Sequence, residues 1–319
     1  MSAFITNVVL AGVGGDLFSL PKLIRRLTFF QATGNLGPSI LEQLLLAGDF
    51  TVTVLVRKES PRTFPPGVKT VTVNYDSIDS LTSALSGQDA VVSTLPISAP
   101  EKQLLLIEAA AKAGVKRFLP TEFGSHTRNA KVRQLPIFQT KFDAQDLLEK
   151  KAKEGTLTYT LVVNGAFFDW GLKINWLVNA KDKHAILYDG GDRKISFSLL
   201  SDVGKAVVGV FRHAEETKNK MVFIQSTVQS FKDVYEIAKK LTPGEKWTDE
   251  VVMVDDLLTS AWAEINKENP DPEKFAVKFI TSAIAGEGYG SLFEKNDNEL
   301  LGIKELSREE VEEVVKKYL

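Results

Sequence analysis

Short apolar runs alternate with helical patterns through the first half of the chain, which is the sequence form of βα units on a parallel sheet. The runs Thr6 to Ala11, Thr51 to Val56, Thr70 to Val73, Asp89 to Thr94, Arg117 to Pro120 and Thr158 to Val163 predict strands. Pro38 to Ala47, Ser77 to Leu85, Glu101 to Ala113 and Lys141 to Lys153 predict helices, and Gly48, Gly87 and Gly114 follow three of them as C-terminal stops. A left-handed residue there costs least when it is glycine. The expected fold is α/β: a doubly wound parallel Rossmann sheet whose ligand crevice lies outside the carboxyl ends of the strands. Beyond about Gly165 the pattern loosens into aromatic segments (AFFDWG, NWL), a Gly-Gly turn in YDGGDRK and separated helices. The expected division is therefore a sheet domain over residues 1–165 and a smaller C-terminal substrate lobe over 166–319, with room for strands that return to the sheet. Ser307 to Glu310 reads as a capping box ahead of the apolar stripe Val311, Val314 and Val315.

Composition narrows the chemistry. The 319 residues are 44% hydrophobic and 25% charged, with 39 Lys and Arg against 41 Asp and Glu and a net charge of −2. That balance argues against a surface built to neutralise nucleic acid or an anionic membrane, and makes small molecules the expected partners. Cysteine is absent, which removes thiolate nucleophiles, disulfides and iron–sulfur clusters. His126, His184 and His213 stand far apart, so no metal site is expected. No run approaches the roughly 18 apolar residues of a membrane span, and a cytoplasmic setting is the expectation.

The glycines that bind a dinucleotide are present but divided. Such a site needs a strand, a tight glycine turn and a helix whose N-terminal N–H groups face phosphate. The strand NVVLAG ends at Gly12, whereas Ala32-Thr33-Gly34-Asn35-Leu36-Gly37 leads directly into PSILEQLL. Joined, they read GATGNLG, a complete G-x-x-G-x-x-G. Between them lie nineteen residues, Val13 to Gln31 (VGGDLFSLPKLIRRLTFFQ), where such a loop normally tolerates none. Their identity suits a retained intron. Valine codons begin GT and one glutamine codon is CAG; Leu27-Thr28 can be encoded CTAAC, followed by Phe29-Phe30 as a pyrimidine tract. Two other readings stand beside it: a genuine insertion making a surface excursion, and a phosphate loop formed by Gly12-Val13-Gly14-Gly15 itself. Strong cofactor binding is expected of the form without the insert, and weak or absent binding of the full chain.

Arg57 and Lys58 follow the second strand, where an NAD-preferring site would carry Asp or Glu for the ribose 2′-hydroxyl. A guanidinium there accommodates a 2′-phosphate, so NADP(H) is the expected cofactor. The competing reading is a solvated strand-end arginine. Ser93-Thr94-Leu95-Pro96, after the fourth strand, is placed to line the dinucleotide groove, although an ordinary strand end explains it nearly as well.

With the joined GATGNLG, these segments form an ordered set: VTVLVRK, KRFLPTEFG (Lys116 to Gly124), Lys141 within IFQTKFDAQDLLE, and VVNGAFFDWGL. The set resembles the NmrA-like, isoflavone-reductase-like branch of atypical short-chain dehydrogenases, most strongly from Ala32 to about Gly171. The resemblance implies an NADP-binding Rossmann domain with a smaller substrate domain. It also implies NADPH-dependent reduction of aromatic or conjugated compounds. It makes Lys141 the catalytic lysine, places Phe123 against the nicotinamide, and turns Asn164 and Phe167 toward substrate. Taken alone, Lys141 reads as an exposed helix lysine, Asn164 as a turn residue, and Glu122 as a cap on local backbone.

Some features are read as decoys. Tyr235 and Lys239 match a Tyr-x-x-x-Lys spacing but lie on an amphipathic helix pattern far along the chain. Gly286, Gly288 and Gly290 have no preceding strand and read as a flexible loop. Phe167, Phe168, Trp170 and Trp176 suit stacking on a flat substrate and core packing equally. No G-x-S-x-G elbow supports a hydrolase. The leading expectation is an NADPH-dependent reductase. Its rival is a non-catalytic NADP-binding redox sensor of the NmrA type, the one reading that calls for a protein partner.

Overall fold

The computed structural model describes residues 5–12, 36–57, 64–96 and 100–319. Six strands follow the expected runs closely: β1 (Asn7–Ala11), β2 (Thr51–Arg57), β3 (Lys69–Val73), β4 (Ala90–Ser93), β5 (Arg117–Leu119) and β6 (Thr158–Val163). The helices α1 (Leu36–Ala47), α2 (Ile78–Leu85), α3 (Pro100–Ala113) and α4 (Gln139–Lys153) lie among them. Beyond β6 come β7 (Ala166–Phe167), α5 (Phe168–Lys173), β8 (His184–Tyr188), β9 (Ile195–Ser198), α6 (Leu200–Arg212), β10 (Lys220–Phe223) and β11 (Thr227–Gln229). The chain continues through α7 (Phe231–Leu241), β12 (Thr248–Val252), α8 (Val254–Ile265), α9 (Pro272–Ala285), α10 (Asn298–Leu301) and α11 (Arg308–Lys316).

Seven strands form one parallel sheet in the order β10-β6-β5-β4-β1-β2-β3. Parallel strands covered by helices on both faces are apolar at nearly every position, which is why their runs were legible. Side-chain alternation sorts β1 between the two layers. Val8 and Leu10 pack with α1 and α6, whereas Val9 and Ala11 pack with α2, α3 and α4. Gly48, Gly87 and Gly114 all adopt positive φ just past their helices, as the stops require.

The smaller lobe holds a three-stranded sheet, β11-β9-β7, and a two-stranded parallel sheet, β12-β8. Their core includes Phe168, Phe197 and Phe231, with α7 and α11 packed over it. The Ser307 capping box is formed with Glu310. Chain beyond residue 165 is not confined to this lobe. β10 extends the large sheet beside β6, and α6 packs along α1. A cut at 165 therefore does not separate sheet from lobe, because the β6 edge is paired by a strand more than fifty residues later.

Candidate active site

The strand order reverses between β1 and β4, and at such a switch point the two flanking crossovers leave a crevice at the carboxyl ends. Gly12 follows β1 there with φ +90°, and a Cβ on it would lie 2.6 Å from the carbonyl carbon of Thr94. Thr94 is held against it by its N–H and hydroxyl, which both donate to Ala11 O at 2.8 and 2.9 Å. Leu95 presents its main-chain nitrogen to Gly12 while its side chain is buried in the α2/α3 layer. Leu36 and Gly37 open α1 and are buried. Thr33, Gly34, Asn35 and Lys58, like the segment Val13 to Gln31, lie outside the described residues.

Arg57 ends β2 with its side chain exposed, paired in register with Val73 of β3. Tyr75, which the sequence did not single out, is buried at the same end of the sheet with its hydroxyl 3.5 Å from Leu55 O. Burial pushes that phenol up to about 12, opposed by a hydrogen bond from the Gly12 backbone and by the Arg57 charge. Gly12, Arg57 and Tyr75 thus converge beyond β1, β2 and β3, where a dinucleotide's adenosine half would rest. A backbone that only glycine can adopt and an exposed guanidinium at the second strand end fit such a ligand.

The second half of the crevice is built by the turn after β5. Ser93 and Thr121 join β4 to this turn through hydroxyls 3.0 Å apart, and Thr121 N–H donates to Gln103 Oε1 at 2.8 Å. Phe123 is buried with φ +27°, a strained value for a side-chain-bearing residue. The chain then crosses two short 3₁₀ turns, Val132–Gln134 and Pro136–Phe138, into α4. Phe138 and Phe142 anchor that entry in a cluster with Phe279 and Tyr289, leaving Lys141 to point back at the turn. Lys141 is 5% exposed and its Nζ donates to the main-chain oxygen of Glu122, 5.7 Å from the Phe138 ring centre. Burial pushes its amine below the ordinary lysine range, against the pull of the Glu122 charge.

Glu122 is 1% exposed. Its Oε2 accepts from Thr127 Oγ1 at 2.7 Å and its Oε1 from Gln145 Nε2 at 2.8 Å. It is therefore a buried carboxyl reaching across to α4, and not a cap on neighbouring backbone. Burial raises its pKa, while Lys141, Gln145, Thr127 and Arg128 oppose the rise. Gly124 O accepts from Gly165 N at 3.1 Å, which ties the end of β6 to this turn. Asn164 is fully buried there; its Nδ2 donates to Gly165 O, and its Oδ1 has no partner among the described residues. Phe167 is half-buried against the α1/α6 layer. The structure thus brings Lys141, Phe123 and Asn164 to one place, linked to Gly12 through Thr94, Ser93 and Thr121.

The profile of the NmrA-like family matches residues 24–267. The chain belongs to that family. Oxidoreductase poxI of Penicillium oxalicum is 31% identical over 298 aligned residues, covering 90% of this chain and 92% of the relative. The NmrA-like fold recurs in the leucoanthocyanidin reductase–NADPH complex of Vitis vinifera, with a TM-score of 0.74 at 20% identity and coverage of 98% and 99% of the two chains. Isoflavone reductase matches with a TM-score of 0.70 at 20% identity over 99% and 100%. The chain is an oxidoreductase of this NmrA-like family, with the fold of isoflavone reductase. The family match begins at residue 24, past β1 and within the segment Val13 to Gln31.

Other residues of this NmrA-like chain are structural. Tyr235 lies on α7 in the smaller lobe, its hydroxyl donating to Asp249 Oδ1 at 3.1 Å, with Lys239 over its ring. The glycine segment 286–290 is docked and not loose: Asn129 Nδ2 and Lys131 Nζ donate to Gly288 O and Glu287 O, and Tyr289 is buried. Phe168 is wholly core, whereas Phe167, Trp170 and Trp176 are half-buried, Trp176 stacking edge-on to Phe231. Among the described residues no helix is long and apolar enough to cross a membrane, and no cluster of three His, Asp or Glu side chains is arranged to hold a metal.

Proposed function

We propose that this chain is an NADPH-dependent reductase of a small aromatic or conjugated substrate, with Lys141 as its general acid and base. The observation that carries the reading is the burial of Lys141 beside the crevice end of β5, with its amine aimed at the turn that also bears Phe123. Desolvation disfavours an ammonium, so this amine exchanges a proton nearer neutral pH than a surface lysine does. NADPH, when bound, supplies the hydride. Arg57 holds the 2′-phosphate, Gly12 admits the pyrophosphate close to backbone, and Phe123 packs against the nicotinamide. Asn164 and Phe167 face the substrate, and the aromatic half-buried side chains keep water away from it. Lys141 holds or gives a proton at the substrate atom next to the reduced one.

A redox sensor has no use for a desolvated amine at this position, which weighs against the regulatory alternative. Strong binding is assigned to the form lacking Val13 to Gln31, in which Gly12 runs directly into the α1 turn. The test is NADPH oxidation by that form across a panel of aromatic carbonyls and conjugated alkenes. Turnover with a member of the panel supports the reductase. NADPH binding with no turnover across the panel supports the sensor.

A further inference from the structure

One buried charge lies beside Lys141 with no assigned role. Lys141 and Gln145 are one helical turn apart on α4 and share a face. They grip the same residue at its two ends. Lys141 Nζ bonds the main-chain oxygen of Glu122, and Gln145 Nε2 bonds its carboxylate at 2.8 Å. Thr127 closes the arrangement, donating to Oε2 at 2.7 Å and accepting from Gln145 Nε2 at 2.7 Å. All four residues are buried, at 5, 2, 1 and 0% exposure for Lys141, Gln145, Glu122 and Thr127.

We propose that Glu122 is the positioning residue for Lys141: its main-chain carbonyl fixes the amine, and its carboxylate, held by Gln145 and Thr127, is the counter-charge to the ammonium. A carboxyl this deep is costly to ionise unless hydrogen bonds and an opposite charge support it. Two neutral donors and one ammonium oppose that cost here, against the burial that raises the carboxyl's pKa. The oxygens are taken by Gln145 and Thr127, so attraction to Nζ acts across the residue and not through a contact ion pair. Among the described residues Glu122 O is the hydrogen-bond partner shown for Nζ, which also lies 5.7 Å from the Phe138 ring centre, and the carboxylate compensates its charge without taking a further N–H. Among the described residues Arg128, from the loop before α4, also acts on Glu122 and on the half-buried His126. Removing the carboxylate leaves Lys141 buried with no compensating charge, and its proton is then released at lower pH.

The catalytic meaning of this coupling rests on the reading of Lys141 as the acid and base, but its test does not. The measurement is the pH titration of the Lys141 13Cε resonance in 13C-lysine-labelled full-length protein without nucleotide or substrate, assigned with Lys141→Arg. Glu122→Gln is expected to lower the midpoint by about one to three units. Thr127→Val, which removes one donor and so makes the carboxylate harder to ionise, is expected to lower it by less. An unchanged midpoint in Glu122→Gln with a native circular dichroism spectrum overturns the proposal. Should that variant not fold, an unchanged midpoint in Thr127→Val overturns it instead. A chain that shows the titration shift and no reductase turnover would count against the proposed function and leave the role of Glu122 standing.

Discussion

Gly12 and Thr94 approach so closely that a Cβ on the glycine would sit 2.6 Å from the carbonyl carbon of the threonine. Gly48 has a similar positive φ, +73° against +90°, but nothing lies within 4 Å of its would-be Cβ. Gly48→Ala should therefore lose only the left-handed backbone term, about 1 kcal/mol. Gly12→Ala should lose about 3 kcal/mol or more, because Thr94 is fixed backbone that cannot step aside. Urea unfolding of both variants checks this, and equal losses would show that the contact is not tight.

The role proposed for Arg57 is to select NADPH over NADH. Arg57→Ala is expected to weaken NADPH binding by about tenfold or more, the loss of a charge-assisted contact to the 2′-phosphate, with little change for NADH. Arg57→Glu should reverse the preference. Fluorescence titration of the form lacking residues 13–31 with each nucleotide reads both effects, and equal losses for the two nucleotides would return Arg57 to a solvated strand end.

The interrupted glycine loop gives a third expectation. The form without Val13 to Gln31 should bind NADPH at least about tenfold more tightly than the full chain. Titration of the two forms side by side tests it, and equal affinities reject it. Sequencing mature transcripts across the junction separates the intron from an inserted segment, since a message that always keeps the nineteen residues rules the intron out.

Asp89 ties the opposite end of the sheet. Its Oδ2 accepts from the backbones of Thr6 and Asn7 at 3.1 and 2.9 Å, and Lys116 Nζ reaches its Oδ1 at 2.7 Å. Burial raises this carboxyl, but the bonds from Lys116, Asn7 and Thr6 outweigh it and hold the folded pKa well below the ordinary value. A depressed folded pKa contributes stability that is complete above the unfolded value of about 3.9 and is lost as pH falls toward the folded one. Asp89→Ala should cost about 2 kcal/mol or more at pH 7. Thermal melts should show the variant losing less stability than the parent between pH 5 and 3; parallel losses would mean Asp89 does not carry the acid response.

The inner strands of the large sheet were legible because they are buried on both faces, so Thr158 to Val163 matched to the residue and the neighbouring strands to within one at their ends. β10 was not, because KMVF is four residues long with exposed and half-buried positions and no alternation of its own. It becomes a strand by pairing with β6. The position of Lys141 was legible through the residues around it, whereas its burial was not. That depends on Phe138 and Phe142 packing against α8 and α9, more than a hundred residues away in sequence. Tyr75 escaped, and Glu122 reads from sequence only as a local cap, for the same reason: a buried carboxyl and a buried phenol are defined by partners such as Gln145 and Gly12, which sequence spacing does not bring together.

The most direct measurement is substrate-dependent NADPH oxidation by the form lacking residues 13–31, compared between Lys141 and Lys141→Met. The methionine variant is expected to keep NADPH affinity and to lose turnover by about 100-fold or more, the usual contribution of a positioned acid or base. Turnover that survives unchanged in Lys141→Met would contradict it.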